Sequence, residues 1–256
     1  MRLANRTKEA DFFRKMLRGD TSQRILLIQA ASGMGKTSLL AEFASLCHVQ
    51  SETALLIKID LKSAQTGIAY IFSKLQNRLG ENSFTRFNAA LSKFLRAGVE
   101  ISDNQIEGTE NQIQVVLNTE SEDVRNFRLS ELQRSFFLDL QGIQKPIVII
   151  LDTFNLAPAS LADWIEGEFL AAVADAKNIR VVIAGQSIPK PTIEWEDIAE
   201  VHFLEPINDI EVWYPFLQEK GLLLEQQTVQ AFVIHLEGQP SMILQVLESV
   251  SRRLGK

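Results

Sequence analysis

A single cysteine, Cys47, among 256 residues excludes an intrachain disulfide and fits a reducing compartment. Histidine is also scarce. His48, His202 and His235 are scattered without metal-ligand spacing. Long hydrophobic runs are missing: runs such as "IVIIL" at 147–151 fall far short of the roughly 20 residues that cross a bilayer. The opening "MRLANRTKEADFF" lacks the apolar stretch of a secretory signal, so a cytoplasmic protein with no membrane partner is expected. Positive charge is not in excess either. Lysine and arginine number 26 against 32 acidic residues, a net charge of -6, which gives no global attraction to nucleic acid. Basic residues do gather early, at Arg2, Arg6, Lys8, Arg14, Lys15, Arg18 and Arg24, and read as a solvated helix face. Nucleic acid is therefore not an expected partner.

A composition of 46% hydrophobic and 23% charged residues suits one large core with a small satellite. Residues 7–18 have helical spacing of Phe12, Phe13, Met16 and Leu17, with Thr7 as N-cap and Gly19 as the stop. Four short runs rich in β-branched residues follow: "ILLIQA" (25–30), "ALLIKIDL" (54–61), "PIVIILDT" (146–153) and "IRVVIAGQ" (179–186). Near-continuous hydrophobicity, with helices between the runs, predicts strands of a parallel α/β sheet buried on both faces. Such sheets bind ligands beyond the carboxyl ends of their strands.

An insertion at about 62–142 separates the second and third strands. "GIAYIFSKLQNRL", "FTRFNAALSKFLR" and "SEDVRNFRLSELQRSFFLDLQGI" read as helices within it. The acidic stretch 98–124 has no lysine or arginine, and the alternation of Val99/Ile101 and Ile113/Val115/Leu117 predicts a hairpin. After 205 the pattern is helical alone, over 208–219, 226–237 and 240–254. A core of 1–205 with a helical lid of 206–256 is the expected division.

"LLIQAASGMGKTSLL" (26–40) runs a strand into a glycine-bearing loop and then a helix, the arrangement that cradles phosphate on main-chain N–H groups. Ala30 stands where the strict phosphate-loop pattern has glycine, and only a methyl group is added where the strand is turning out of the sheet. The amides of Ala31, Ser32, Gly33, Met34 and Gly35 would surround the anion. Lys36 would sit between the β- and γ-phosphates, Thr37 would offer its hydroxyl to Mg²⁺, and Ser38 would reach the α-phosphate. A dinucleotide fingerprint fits poorly, because Ser38 falls at its third glycine. Asp152 ends the third strand after five apolar residues, where a carboxylate is costly unless it serves a cation, so it is the expected second Mg²⁺ residue. No acid follows it. Thr153, Asn155 and Gln186 are the candidates to align water, and none of them is a base at neutral pH.

Together "NRTKEADFF", "ASGMGKTS", "IVIILD", "VVIAGQS" and "LEGQPSMILQVL" resemble the nucleotide-binding module of STAND-class P-loop ATPases, relatives of the AAA+ fold that include NB-ARC and NACHT proteins. The resemblance implies ATP or ADP with Mg²⁺ as cofactors. It sets Arg6 and Glu9 of "NRTKE" against the adenine, with Asn5 in place of the usual glycine, and makes Gly238, Gln239 and Pro240 the lid motif whose proline touches the base. Adenine comes only through this resemblance; the guanine-reading "NKxD" pattern is missing. The chain ends after the lid without an effector domain, so it is expected to be an excised module or to act through a partner protein or self-association. An ATP-dependent conformational switch, weakly hydrolytic for want of a second acid, is the leading expectation. The alternatives are a nucleotide-stabilised binding module with little turnover and a DNA-associated AAA+-like ATPase.

Overall fold

The computed structural model describes residues 6–49, 54–62, 67–98, 108–118, 121–222 and 224–253. Five parallel strands form one sheet in the order β2-β3-β4-β1-β5: β1 (Ile25–Gln29), β2 (Leu55–Asp60), β3 (Ile147–Asp152), β4 (Ile179–Gly185) and β5 (Ala199–Phe203). The four expected strands occur with ends within a residue or two of the runs. β5 was not anticipated. It is an edge strand in which His202 alone is buried while Phe203 is 64% exposed, so it lacks the apolar run that reveals the others.

Alternation across the strands divides the core. Leu26, Ile28, Val148, Ile150, Val182 and Ala184 face α1 (Thr7–Arg18) and α2 (Lys36–Val49), which contribute Phe13, Met16, Leu39, Leu40 and Phe43. Phe13 and Phe43 stack with ring centroids 4.2 Å apart. The other face carries Ile25, Leu27, Ile149, Leu151 and Ile183 against α3 (Ile68–Leu79), α4 (Thr85–Gly98), α5 (Thr109–Leu117), α6 (Glu122–Gln141), α7 (Ala159–Trp164) and α8 (Leu170–Asp175). A third cluster, with Trp213, Phe216, Leu217, Val229, Val233, Ile243 and Leu247, belongs to α9 (Ile210–Glu219), α10 (Gln226–His235) and α11 (Pro240–Arg253).

Three sequence expectations need correction. Residues 109–117 form α5 rather than a hairpin arm: Ile113 and Val116 are buried, a helical i,i+3 pair that the alternation of Ile113, Val115 and Leu117 concealed. The expected first arm, with Val99 and Ile101, lies outside the described residues. Thr7 is the first residue of α1 rather than its cap; Arg6 takes the cap position, without a side-chain capping bond, and Gly19 ends the helix at φ 77°. The early basic cluster is also not a single face, since Arg6 is 8% exposed and Arg24 donates to the Ala174 carbonyl. Cys47 is buried in α2, where desolvation pushes its thiol up to about 12. Among the described residues no helix is long and apolar enough to cross a membrane.

Candidate functional site

The carboxyl ends of β1, β3 and β4 open into a cavity of about 410 Å³ that α9 and α11 close from the other side. That size suits a nucleotide-sized ligand. Thirteen of the site residues expected from sequence line it: Arg6, Ser32, Gly33, Met34, Gly35, Lys36, Thr37, Ser38, Asp152, Thr153, Asn155, Gln186 and Pro240. Ala31 does not, although its carbonyl accepts from Lys36 Nζ at 2.8 Å.

The loop after β1 is shaped by its glycines. The Ala30 amide still donates to the Gly185 carbonyl at 3.1 Å, so this residue ends the β1–β4 ladder in a backbone conformation that alanine tolerates. Gly33 (φ 82°) and Gly35 (φ 88°) lie in the left-handed region. A Cβ at Gly35 would meet no protein atom within 4 Å, whereas one at Gly33 would fall 2.4 Å from Ser241 Oγ and 2.6 Å from Gln239 Nε2. Helix α2 then begins at Lys36, so its positive end faces the loop. Lys36 Nζ donates to the Ala30 carbonyl at 2.7 Å, and burial lowers its pKa while the Asp152 charge opposes that shift.

Asp152 stands at the tip of β3 with Oδ1 accepting from the Thr153 amide at 2.8 Å. Burial raises its pKa, with the Asp60 charge acting in the same direction; hydrogen bonds from the Thr153 main chain and side chain, and the charge of Lys36, act against it. Thr153 holds φ 62°, a left-handed conformation that costs a non-glycine residue about 1–3 kcal/mol and is concentrated at functional sites. The next turn is fixed by Asn155, whose Oδ1 accepts from the Gln186 amide at 2.9 Å and so ties the tips of β3 and β4 together. Thr37 and Asp152 present a hydroxyl and a carboxylate to one cavity, a hard-oxygen pair of the kind Mg²⁺ selects.

The helices that face the loop are joined to it directly. Pro240 opens α11, and the Ser241 amide, one of the donors that a helix start leaves unpaired, donates to the Gly33 carbonyl at 3.0 Å. Gln239 Nε2 donates to the Ser32 carbonyl at 3.0 Å. Before α11, Gly238 (φ 66°) packs where a Cβ would lie 2.8 Å from the Ile207 backbone. Arg6 completes the linkage, donating from Nη2 to the Met34 and Glu205 carbonyls at 3.1 and 2.8 Å. Sequence reading missed Leu156, Ile207, Trp213, Phe216, Ser241 and Leu244, which also line the cavity. Trp213 and Phe216 fall within the helical pattern expected over 208–219, but that pattern does not say which partner they meet.

No protein-family model matches this chain, and no curated protein does. Among solved structures it is similar to an Orc1 protein of Aeropyrum pernix in complex with DNA, at 12% identity and TM-score 0.50, over 98% of this chain and 60% of that one. It is also similar to Cdc6p of Pyrobaculum aerophilum, at 16% identity and TM-score 0.51, over 100% of this chain and 64% of that one. The chain thus spans less than two thirds of either. What the likeness shows is the fold, an α/β architecture with a five-stranded parallel sheet and flanking helices like that of these two structures.

Proposed function

We propose that the chain is an ATP-binding conformational switch, with a core of 1–205, carrying the insertion at 62–142, and a helical lid of 206–256. The observation that carries this reading is the shared cavity, in which the Gly33–Lys36 loop forms one wall and the hydrogen-bonded start of α11 another. Its two ends differ in chemistry. Lys36, Thr37, Ser38 and Asp152 suit the phosphates, whereas Ile207, Trp213, Phe216, Pro240 and Leu244 offer apolar surface to a base. Mg²⁺ held by Thr37 and Asp152 would neutralise charge between the β- and γ-phosphates. The chain's own residues do the rest: Lys36 exchanges its loop carbonyls for phosphate oxygens, and the loop amides grip the anion. Because Ser32 and Gly33 are bonded to Gln239 and Ser241, any adjustment of the loop to a γ-phosphate is passed to α11.

The STAND subclass, with adenine as the base, is supported by Arg6 and Pro240 lining the same cavity. A switch of this kind reads out through another protein or another copy. Equilibrium titration of the wild type and Lys36→Ala with Mg-ATP tests the assignment. Loss of a charged donor worth about 1.5–3 kcal/mol weakens binding by roughly tenfold or more; equal affinity would remove the phosphate-loop reading.

A second reading, a DNA-associated ATPase, is favoured by the DNA complex of the Aeropyrum relative and counts against the expectation that nucleic acid is no partner. Its signature is duplex binding that falls steeply with salt. No binding at low salt would exclude it.

A further inference from the structure

We propose that the helical insertion carries a second ligand site, for a small zwitterion of the α-amino-acid type, in the cavity of about 310 Å³ between the end of α3, α4 and the start of α5. It stands apart from the nucleotide reading, because no residue lines both this cavity and the one at the Gly33–Lys36 loop. Its two walls offer opposite chemistry, acceptors on one and donors on the other.

The acceptors are set by a chain of amides. Asn88 Nδ2 donates to the Glu81 carbonyl at 3.2 Å, and Asn88 Oδ1 accepts from Gln76 Nε2 at 2.7 Å. Because the Glu81 carbonyl can only accept, this order fixes both side-chain amides and leaves Gln76 Oε1 as the free end of the chain. Gln76 is 1% exposed and lines the cavity, and its Oε1 is buried without a hydrogen-bond partner. Such an acceptor is costly until a donor meets it. The exposed Glu81 carboxylate lines the same cavity, and among the described residues no lysine or arginine does. A cationic N–H donor, an ammonium group, answers both.

The donors come from α5. Gly108, at φ 86°, holds the cap position and has no side chain to close the helix, so the amides of Thr109 and Glu110 find no acceptor within it. Gly108 and Thr109 line the cavity, which places the positive end of α5 at its wall; the Glu110 side chain is not among the lining groups. The hydroxyls of Ser92 and Thr109 add neutral donors. A carboxylate suits this wall. A lone anion would meet the Glu81 charge, and a lone amine would leave the helix start unmet, so the pairing of the two walls selects a molecule that carries both groups.

The test is an NMR titration of the full chain with glycine, L-serine and L-glutamine, and with acetate and methylamine as the two half-ligands. Saturable shifts of the Gln76 side-chain amide and of the Thr109 and Glu110 main-chain amides are expected with at least one of the amino acids, with each half-ligand bound more weakly by about tenfold or more. Glu81 is exposed, and Glu81→Gln leaves the main-chain carbonyl that Asn88 bonds, so the fold is kept. That variant should bind the same amino acid about three- to fivefold more weakly, the scale of an exposed charge pair. No saturable shift with any of the three overturns the proposal and leaves water as the partner of Gln76. Shifts that bypass these residues, a half-ligand that binds as tightly as the amino acid, or unchanged affinity in Glu81→Gln overturn it equally.

Discussion

Gly33→Ala and Gly35→Ala form a matched pair that isolates the junction between the phosphate loop and α11. Both glycines have strongly positive φ, 82° and 88°, so alanine brings a similar backbone strain of about 1–2 kcal/mol to each. They differ in surroundings. The new methyl at 35 meets no protein atom within 4 Å, while at 33 it overlaps Ser241 Oγ and Gln239 Nε2. Those two side chains can turn away, but Gln239 then loses its bond to the Ser32 carbonyl, worth about 0.5–1.5 kcal/mol. Gly33→Ala should therefore open the junction more than Gly35→Ala by roughly 1–1.5 kcal/mol, about a tenfold difference in the open population. Amide hydrogen exchange at Ser241 reads this directly, because its N–H donates to the Gly33 carbonyl. Exchange about tenfold faster in Gly33→Ala than in Gly35→Ala is expected, with Leu26 and Val182 in the central strands unchanged. Equal Ser241 exchange in the two variants would refute the reasoning.

Further outcomes follow from other contacts. Arg6→Lys cannot span the Met34 and Glu205 carbonyls with one ammonium, and a loss of about 2–3 kcal/mol should lower the Tm by about 5–10 °C in a thermal melt. Asp152→Asn keeps the acceptor for the Thr153 amide but removes a carboxylate whose ionised form the fold disfavours, so the Tm should rise by about 2 °C while Mg-dependence of ATP binding is lost. His202 is buried beside Glu9 and Glu200, with Lys8 nearby, and burial outweighs the two carboxylates to lower its pKa. Its folded value thus lies below the unfolded value of about 6.5. The stability it contributes is complete above that pH and is lost as pH falls through it toward the folded value. Melts from pH 7 to 5 should show a declining Tm that is flatter in His202→Gln, and identical slopes would contradict this.

How far the sequence revealed the molecule depended on how local each cause was. β3 was legible because "IVIIL" is buried on both faces, and one wall of the cavity because residues 32–38 are contiguous in the chain. β5 was hidden because an edge strand needs only one buried side chain, here His202. Residues 109–117 misled because three apolar positions satisfy a period of two as easily as a helical one. The site was half visible. Its polar wall lies within 31–38 and 152–155, but its apolar wall comes from Ile207, Trp213 and Leu244, whose helix faces look like ordinary core until their partner is known. Gly33 shows the same limit: it read as part of a glycine-bearing loop, and its crowding comes from Ser241, far along the chain.

In the proposed switch one Mg-bound ATP touches the loop at 32–38 and the α9–α11 helices together. Hydrogen exchange followed by mass spectrometry, with and without Mg and a non-hydrolysable ATP analogue, measures both walls at once. Protection should rise together across 32–38 and across 207–216 and 240–244, and vanish in Lys36→Ala. Protection confined to the loop, or to the helices, or persisting in Lys36→Ala, would contradict it.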